Sequence, residues 1–144
     1  MVHVYVAVEQ DDEGYPPVEA EELDATKVGP TRYRIDGVPV FVRGLARGDI
    51  VLVEDGPDDQ LWVTEVAESS GSWTVRVLPW DRDALEAVAR EFEGLGCHGV
   101  VSSYGLVALD VPATVEVKAL MAALEAGRAQ KRWDFEIGVD PIGS

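Results

Sequence analysis

Few residues in this chain combine the type and the spacing that chemistry needs. Cys97 and His98 stand side by side after Gly96, and a thiolate beside an imidazole is the pairing of a nucleophile with its base. Neighbouring side chains on an extended segment point to opposite faces, so His98 is badly placed to take the Cys97 proton, and Cys97 reads as a buried structural thiol. Glu9, Gln10, Asp11, Asp12 and Glu13 precede Gly14, an acidic run that invites a calcium loop. Such a loop needs oxygen ligands at alternating positions and a closing glutamate between two helices; here Pro16 and Pro17 interrupt it and strands flank it. It reads as a solvated turn, as does Asp55 to Asp59 around Gly56 and Pro57. Gly94 to Gly99 is glycine-rich but follows a helix, whereas a phosphate cradle must open one. One cysteine and two histidines exclude a disulfide framework and thiolate-rich metal centres, so no metal and no cofactor is expected. No GxGxxG, Walker, GxSxG or HExxH pattern occurs. Nothing gathers a nucleophile, a base and an orienting group, and the sequence leans away from an enzyme.

Binding features remain. Arg128, Lys131 and Arg132 cluster immediately before Trp133; they either hold an anion or dock on an acidic surface, or they simply complement the carboxyl end of a helix. Among the four tryptophans, Trp62, Trp73, Trp80 and Trp133, Trp80 precedes a helix where the two halves of the chain join, a place where ligand clefts form. At least two of the four read as core packing. Asp11, Asp12, Glu13 and Tyr15, in the acidic turn, complete the candidate binding residues.

Charge weighs on the choice of partner. The 144 residues carry 27 acids against 12 bases, a net charge of -15, with 16 acids and 5 bases in residues 1–70 and 11 and 7 in the remainder. A field of that sign repels phosphates, so nucleic acid is not an expected partner. It attracts a basic protein surface, or it serves solubility alone. No apolar run approaches the roughly 18 to 20 residues of a membrane helix, and the run from Met1 to Val6 lacks the basic region of a signal peptide. A cytoplasmic protein without membrane contact is expected.

The elements that must position these residues fall into two sets. Val2, Val4, Val6 and Val8 alternate with other residues at the period of a strand. Val18 to Ala25 suggests a half-exposed strand with an irregularity near Glu21 and Glu22. Arg32 to Ile35 leads to an Asp36-Gly37 hairpin signal and a return strand from Val38 to Val42. Ile50 to Glu54 and Leu61 to Val66 complete a set of short strands that implies a small barrel or a strongly curled sheet. From Ser72 the period changes. Ser72 to Leu78 is a strand; Asp81 caps a helix whose apolar stripe is Leu85, Val88, Ala89, Phe92 and Leu95, with Gly94 and Gly96 ending it. Val100 to Tyr104 and Leu106 to Val111 pair around Gly105. Thr114 caps a second helix with Val117, Leu120, Met121 and Leu124 buried and Gly127 near its end, and Trp133, Phe135, Ile137 and Val139 close as a strand. That order is the β-α-β-β-α-β signature of the ferredoxin-like fold. The fold class is therefore α+β: a β-barrel-like module over residues 1–71 and a ferredoxin-like module over residues 72–144.

The run from Glu9 to Glu19, the segment from Tyr33 to Pro39 and the phrase from Gly44 to Asp49 together resemble a bacterial family of unknown function, domain of unknown function 4265, over most of the chain. The resemblance implies bacterial origin and a shared two-part fold. It carries over no activity and no catalytic residue. The functional expectation is thus a non-enzymatic acidic module that engages a basic protein partner, as an inhibitor or immunity-type protein would. The alternative is a regulatory protein that senses a small-molecule ligand on its ferredoxin-like half, an expectation by fold analogy.

Overall fold

Alternating valines make the first strand, β1 (Val2–Ala7), and buried Val4 marks its inner face. The computed structural model describes residues 2–8, 10–14 and 17–139; Tyr15 and the segment from Asp140 to Ser144, expected as a frayed tail, lie outside them. The chain divides into two compact units, Met1–Ser70 and Gly71–Ser144. Two sheets and two helices define an α+β protein.

In the first unit, β1 pairs antiparallel with β2 (Ala20–Lys27), from Val2 opposite Ala25 to Ala7 opposite Ala20. The register passes through Glu21 and Glu22 without a shift, so the expected irregularity is absent there. β3 (Arg32–Ile35) pairs with β2 and with β4 (Ile50–Asp55), and β4 with β5 (Leu61–Glu68). β5 then runs parallel to β1, Val4 opposite Leu61, so the five strands close on themselves. Register shifts in the β4–β5 pair, at Ile50/Val51 and Leu52/Val53, add the local twist that closure of so few strands requires. Val4, Leu23, Ala25, Ile35 and Val51 fill the interior, joined by Val42 and Leu45.

Those last two belong to a segment that does not form the expected hairpin. The Asp36 and Gly37 amides donate back to the Asp24 carbonyl at 2.9 and 3.2 Å, so the turn folds onto β2 and β3 takes β4 as its partner. Residues 38–42 are irregular because side chains occupy their amides. The buried Glu21 carboxylate accepts from Val40 N at 2.6 Å through Oε2, and from Phe41 N and Val42 N at 2.9 and 3.0 Å through Oε1. Three donors compensate the desolvation of one carboxylate, and a carboxylate receives N–H bonds more strongly than a carbonyl does. Buried Asp49 acts similarly, taking Ala46 N at 3.0 Å and Ser70 N at 2.8 Å.

The second unit is built from β6 (Trp73–Pro79), α1 (Leu85–Glu93), β7 (His98–Val101), β8 (Val107–Val111), α2 (Val117–Ala129) and β9 (Trp133–Val139). Its antiparallel sheet has the order β7-β8-β6-β9. One face presents Trp73, Val75, Val77, Leu109 and Phe135 to Val88 and Phe92 of α1 and to Leu120 and Leu124 of α2. The helix starts differ from expectation. Asp81 accepts from Asp83 N at 2.9 Å, but it caps a 3-10 turn over Arg82–Ala84 that precedes α1. Thr114 is not the N-cap of α2, which begins after Glu116, a residue that makes no side-chain capping bond. Leu95 lies beyond the end of α1 and is exposed.

On the opposite face, Arg76 is buried with Nη1 at 3.4 Å from Glu136 Oε1. Gly138 makes room for it: a Cβ there would lie 2.5 Å from Thr74 Oγ1 and 3.0 Å from Arg76 Nη1. Gly127 has the same role for an aromatic ring. It sits near the end of α2, as expected, and is buried, and a Cβ would come within 2.0 Å of the Trp133 ring. Trp133 in turn donates Nε1–H to the Leu124 carbonyl at 3.1 Å and packs at 5.3 Å on Phe92.

Two stability measurements follow from these contacts. Gly127→Ala, which at an exposed helix position would gain about 1 kcal/mol, should instead cost about 2 kcal/mol or more in urea unfolding, because Trp133 has no space to move into. Glu21→Ala should cost about 3 kcal/mol, since it leaves three amides without their acceptor.

Candidate functional site

The end of α2 and the start of β9 form the candidate site. After Ala129, Gln130 is the terminal residue, and Lys131 turns left-handed with φ of 59°. Lys131 N donates to the Arg128 carbonyl at 3.0 Å and Arg132 N to the Gly127 carbonyl at 2.9 Å. This pair of bonds is the Schellman motif, which ordinarily has glycine at the left-handed position. A lysine there carries backbone strain of order 1 kcal/mol. The chain then enters β9, where Trp133 pairs with Pro79 and the Trp80 amide donates to the Arg132 carbonyl at 3.0 Å.

This arrangement leaves a cleft of about 390 Å³ lined by Trp80, Arg128, Lys131, Trp133 and Asp134, within the range typical of small-molecule sites. Trp133 belongs to the core, whereas Trp80 is 71% exposed. Its indole therefore contributes open apolar surface to the lining.

The basic cluster is separated by its partners. Arg132 forms a two-pronged pair with Glu91, at 3.1 and 2.6 Å, and lies 4.5 Å over the Trp133 ring; the Glu91 bonds raise its pKa above the ordinary value. Arg128 places Nε at 3.4 Å from Asp134 Oδ1 and its guanidinium 4.0 Å over the Phe135 ring. Lys131 makes no ion pair among the described residues. Of the expected binding residues, Trp80, Arg128 and Lys131 therefore share the cleft, and Arg132 is not part of its lining. Trp133 and Asp134 are the lining residues that the sequence did not mark as binding residues; their signal was the start of the closing strand.

The other candidates lie elsewhere. Asp11, Asp12 and Glu13 form an exposed turn at the tip of the β1–β2 hairpin, where Glu13 N donates to Asp11 Oδ1 at 2.9 Å and Gly14 N to the Asp11 carbonyl at 3.0 Å. Tyr15 lies outside the described residues. Among those residues no cluster of three or more His, Cys, Asp and Glu side chains is placed to hold a metal ion, and no helix is long and apolar enough to cross a membrane. Cys97 is buried in the helix-sheet core while His98 is exposed.

Residues 21–135 match the family described as a domain of unknown function, DUF4265. The chain belongs to that family. It is also similar in structure to a protein of Neisseria gonorrhoeae, solved under the description "Novel crystal structure of a hypothetical protein", with a TM-score of 0.75, 18% sequence identity and 96% of each chain covered. That likeness is one of fold. No curated protein matches the sequence.

Burial, reinforced by the negative charge of Asp110, pushes the Cys97 thiol up to about 11. At neutral pH only about one such thiol in ten thousand is ionised. Labelling with a thiol reagent at pH 7 should accordingly be slow in the native protein and should accelerate only under unfolding conditions; fast native labelling would show a reactive cysteine instead.

Proposed function

We propose that the protein is a non-enzymatic binding module that takes a small-molecule ligand in the cleft at Trp80. The carrying observation is Lys131: a cation without an ion pair among the described residues, in a strained left-handed backbone, beside an open tryptophan, in a chain of net charge -15. Stability alone favours glycine at that position, and strain retained at a cleft is a mark of function. The strand order β7-β8-β6-β9 with both helices on one face supports reading residues 71–144 as a ferredoxin-like module, and the closure of β1 to β5 supports reading residues 1–70 as a small β-barrel.

A second reading assigns the acidic strands to a basic protein partner. Glu22 and Asp24 project from β2 about half exposed, beside His3 Nδ1 at 3.2 and 3.0 Å, and the turn at Asp11 to Glu13 adds three further exposed acids to this unit. Opposite charge across an interface accelerates encounter and selects partners.

Thermal-shift measurements with small organic acids, amino acids, nucleotides and, at low salt, polylysine separate the two. The cleft reading expects a small compound to raise the melting temperature of the native chain. Lys131→Gly should be more stable by about 1 kcal/mol yet lose most of that ligand's shift, and Trp80→Ala should lose it as well. A shift given by polylysine alone would select the acidic surface. A small-ligand shift unchanged in both variants would remove the cleft from consideration.

A further inference from the structure

The cleft contains two opposite charges that do not meet. Lys131 makes no ion pair although Asp134 lines the same space. Asp134 commits only one oxygen: Oδ1 accepts from Phe135 N at 2.9 Å and lies 3.4 Å from Arg128 Nε, while Oδ2 has no partner among the described residues. Arg128 is held by Asp134, by Glu125 at 3.9 Å and by the face of Phe135. Beside the loosely paired Arg128, the charged lining groups without an ion-pair partner among the described residues are thus one ammonium and one carboxylate oxygen, set against the indole of Trp80.

Resting on the reading of this cleft as a binding site, we infer that its ligand is a free α-amino acid with an aromatic or large aliphatic side chain. The α-carboxylate faces Lys131, the α-ammonium faces Asp134 Oδ2, and the side chain covers the exposed face of Trp80. Other ligand chemistries match less of the lining. A simple monoanion leaves Asp134 Oδ2 opposed to like charge, and a polyanion would meet one lining cation without an ion pair among the described residues, Lys131, in a strongly acidic chain. A peptide terminus offers one of the two charges and not both. A cation alone would leave Lys131 unanswered. Nearby aromatic surface reduces the solvent around both pairs, although Asp134, at 62% exposure, contributes modestly.

The test titrates the full chain with phenylalanine and leucine, following tryptophan fluorescence and heat. Three relatives of phenylalanine serve as comparators: the N-acetyl derivative, the amide, and 3-phenylpropanoate. The free amino acids should bind, and each blocked relative should bind at least about fivefold more weakly, the scale of one partly exposed ion pair. Asp134→Asn should abolish the preference for phenylalanine over N-acetylphenylalanine while leaving the preference over the amide. If N-acetylphenylalanine or 3-phenylpropanoate binds as tightly as the free amino acid, and Trp80→Ala removes that binding, the amino-acid class is wrong and the cleft reading stands. If none of the compounds binds, the inference fails; the screen of other small molecules, with the Trp80 and Lys131 variants, then decides the cleft reading separately.

Discussion

The approach of the Trp133 ring to Gly127 is the constraint on which the candidate site depends. A tryptophan at the first position of a strand cannot enter the core unless the helix before it yields space, and only a residue without a side chain yields it here. Once the ring is seated, its bond to the Leu124 carbonyl and its contact with Phe92 fix the orientation of α2 over the sheet. The chain then has a few residues in which to turn from helix to strand. That short return imposes the Schellman bonds and the left-handed turn at Lys131, so the core contact and the strained lysine are consequences of one geometry. Lysine at that turn adds cost without adding packing, which separates its role from that of Gly127.

The first unit solves a different problem by a related device. Five short strands enclose too little volume for side chains alone to order a long connection. The segment between β3 and β4 is ordered by carboxylates placed beneath it, Glu21 under the amides of Val40, Phe41 and Val42 and Asp49 under those of Ala46 and Ser70. Buried carboxylates accepting amides replace the ladder that a sixth strand would have supplied. The acidity of this half is therefore not all surface charge: part of it holds backbone.

These same residues show where sequence reading succeeds and where it stops. The stripe Val88, Ala89 and Phe92 and the alternation of Trp133 and Phe135 are periodic, and periodicity survives because it is what burial demands. Glu21 was invisible for the opposite reason. On its strand it occupies an inward position while carrying a charge, so the pattern signals an irregularity, and the amides that satisfy it lie some twenty residues away. The Asp36-Gly37 signal misled because a turn dipeptide specifies a reversal and not the strand that receives it. At the cleft, the aromatic and basic residues stood out by type, yet their grouping required the end of α2. A left-handed lysine has no sequence mark, since the usual mark is the glycine that is missing.

Net charge and local charge then carry different information. A total of -15 describes the long-range field, which governs encounter and solubility. It says little about a cleft in which Arg132 is held by Glu91, Arg128 is shared between Asp134 and Glu125, and Lys131 is left over. Among the described residues Lys131 makes no ion pair, and Asp134, which lines the same cleft, is paired with Arg128. Water screens charges this exposed, so their arrangement weighs little on the stability of the fold and bears instead on which partner the surface can select.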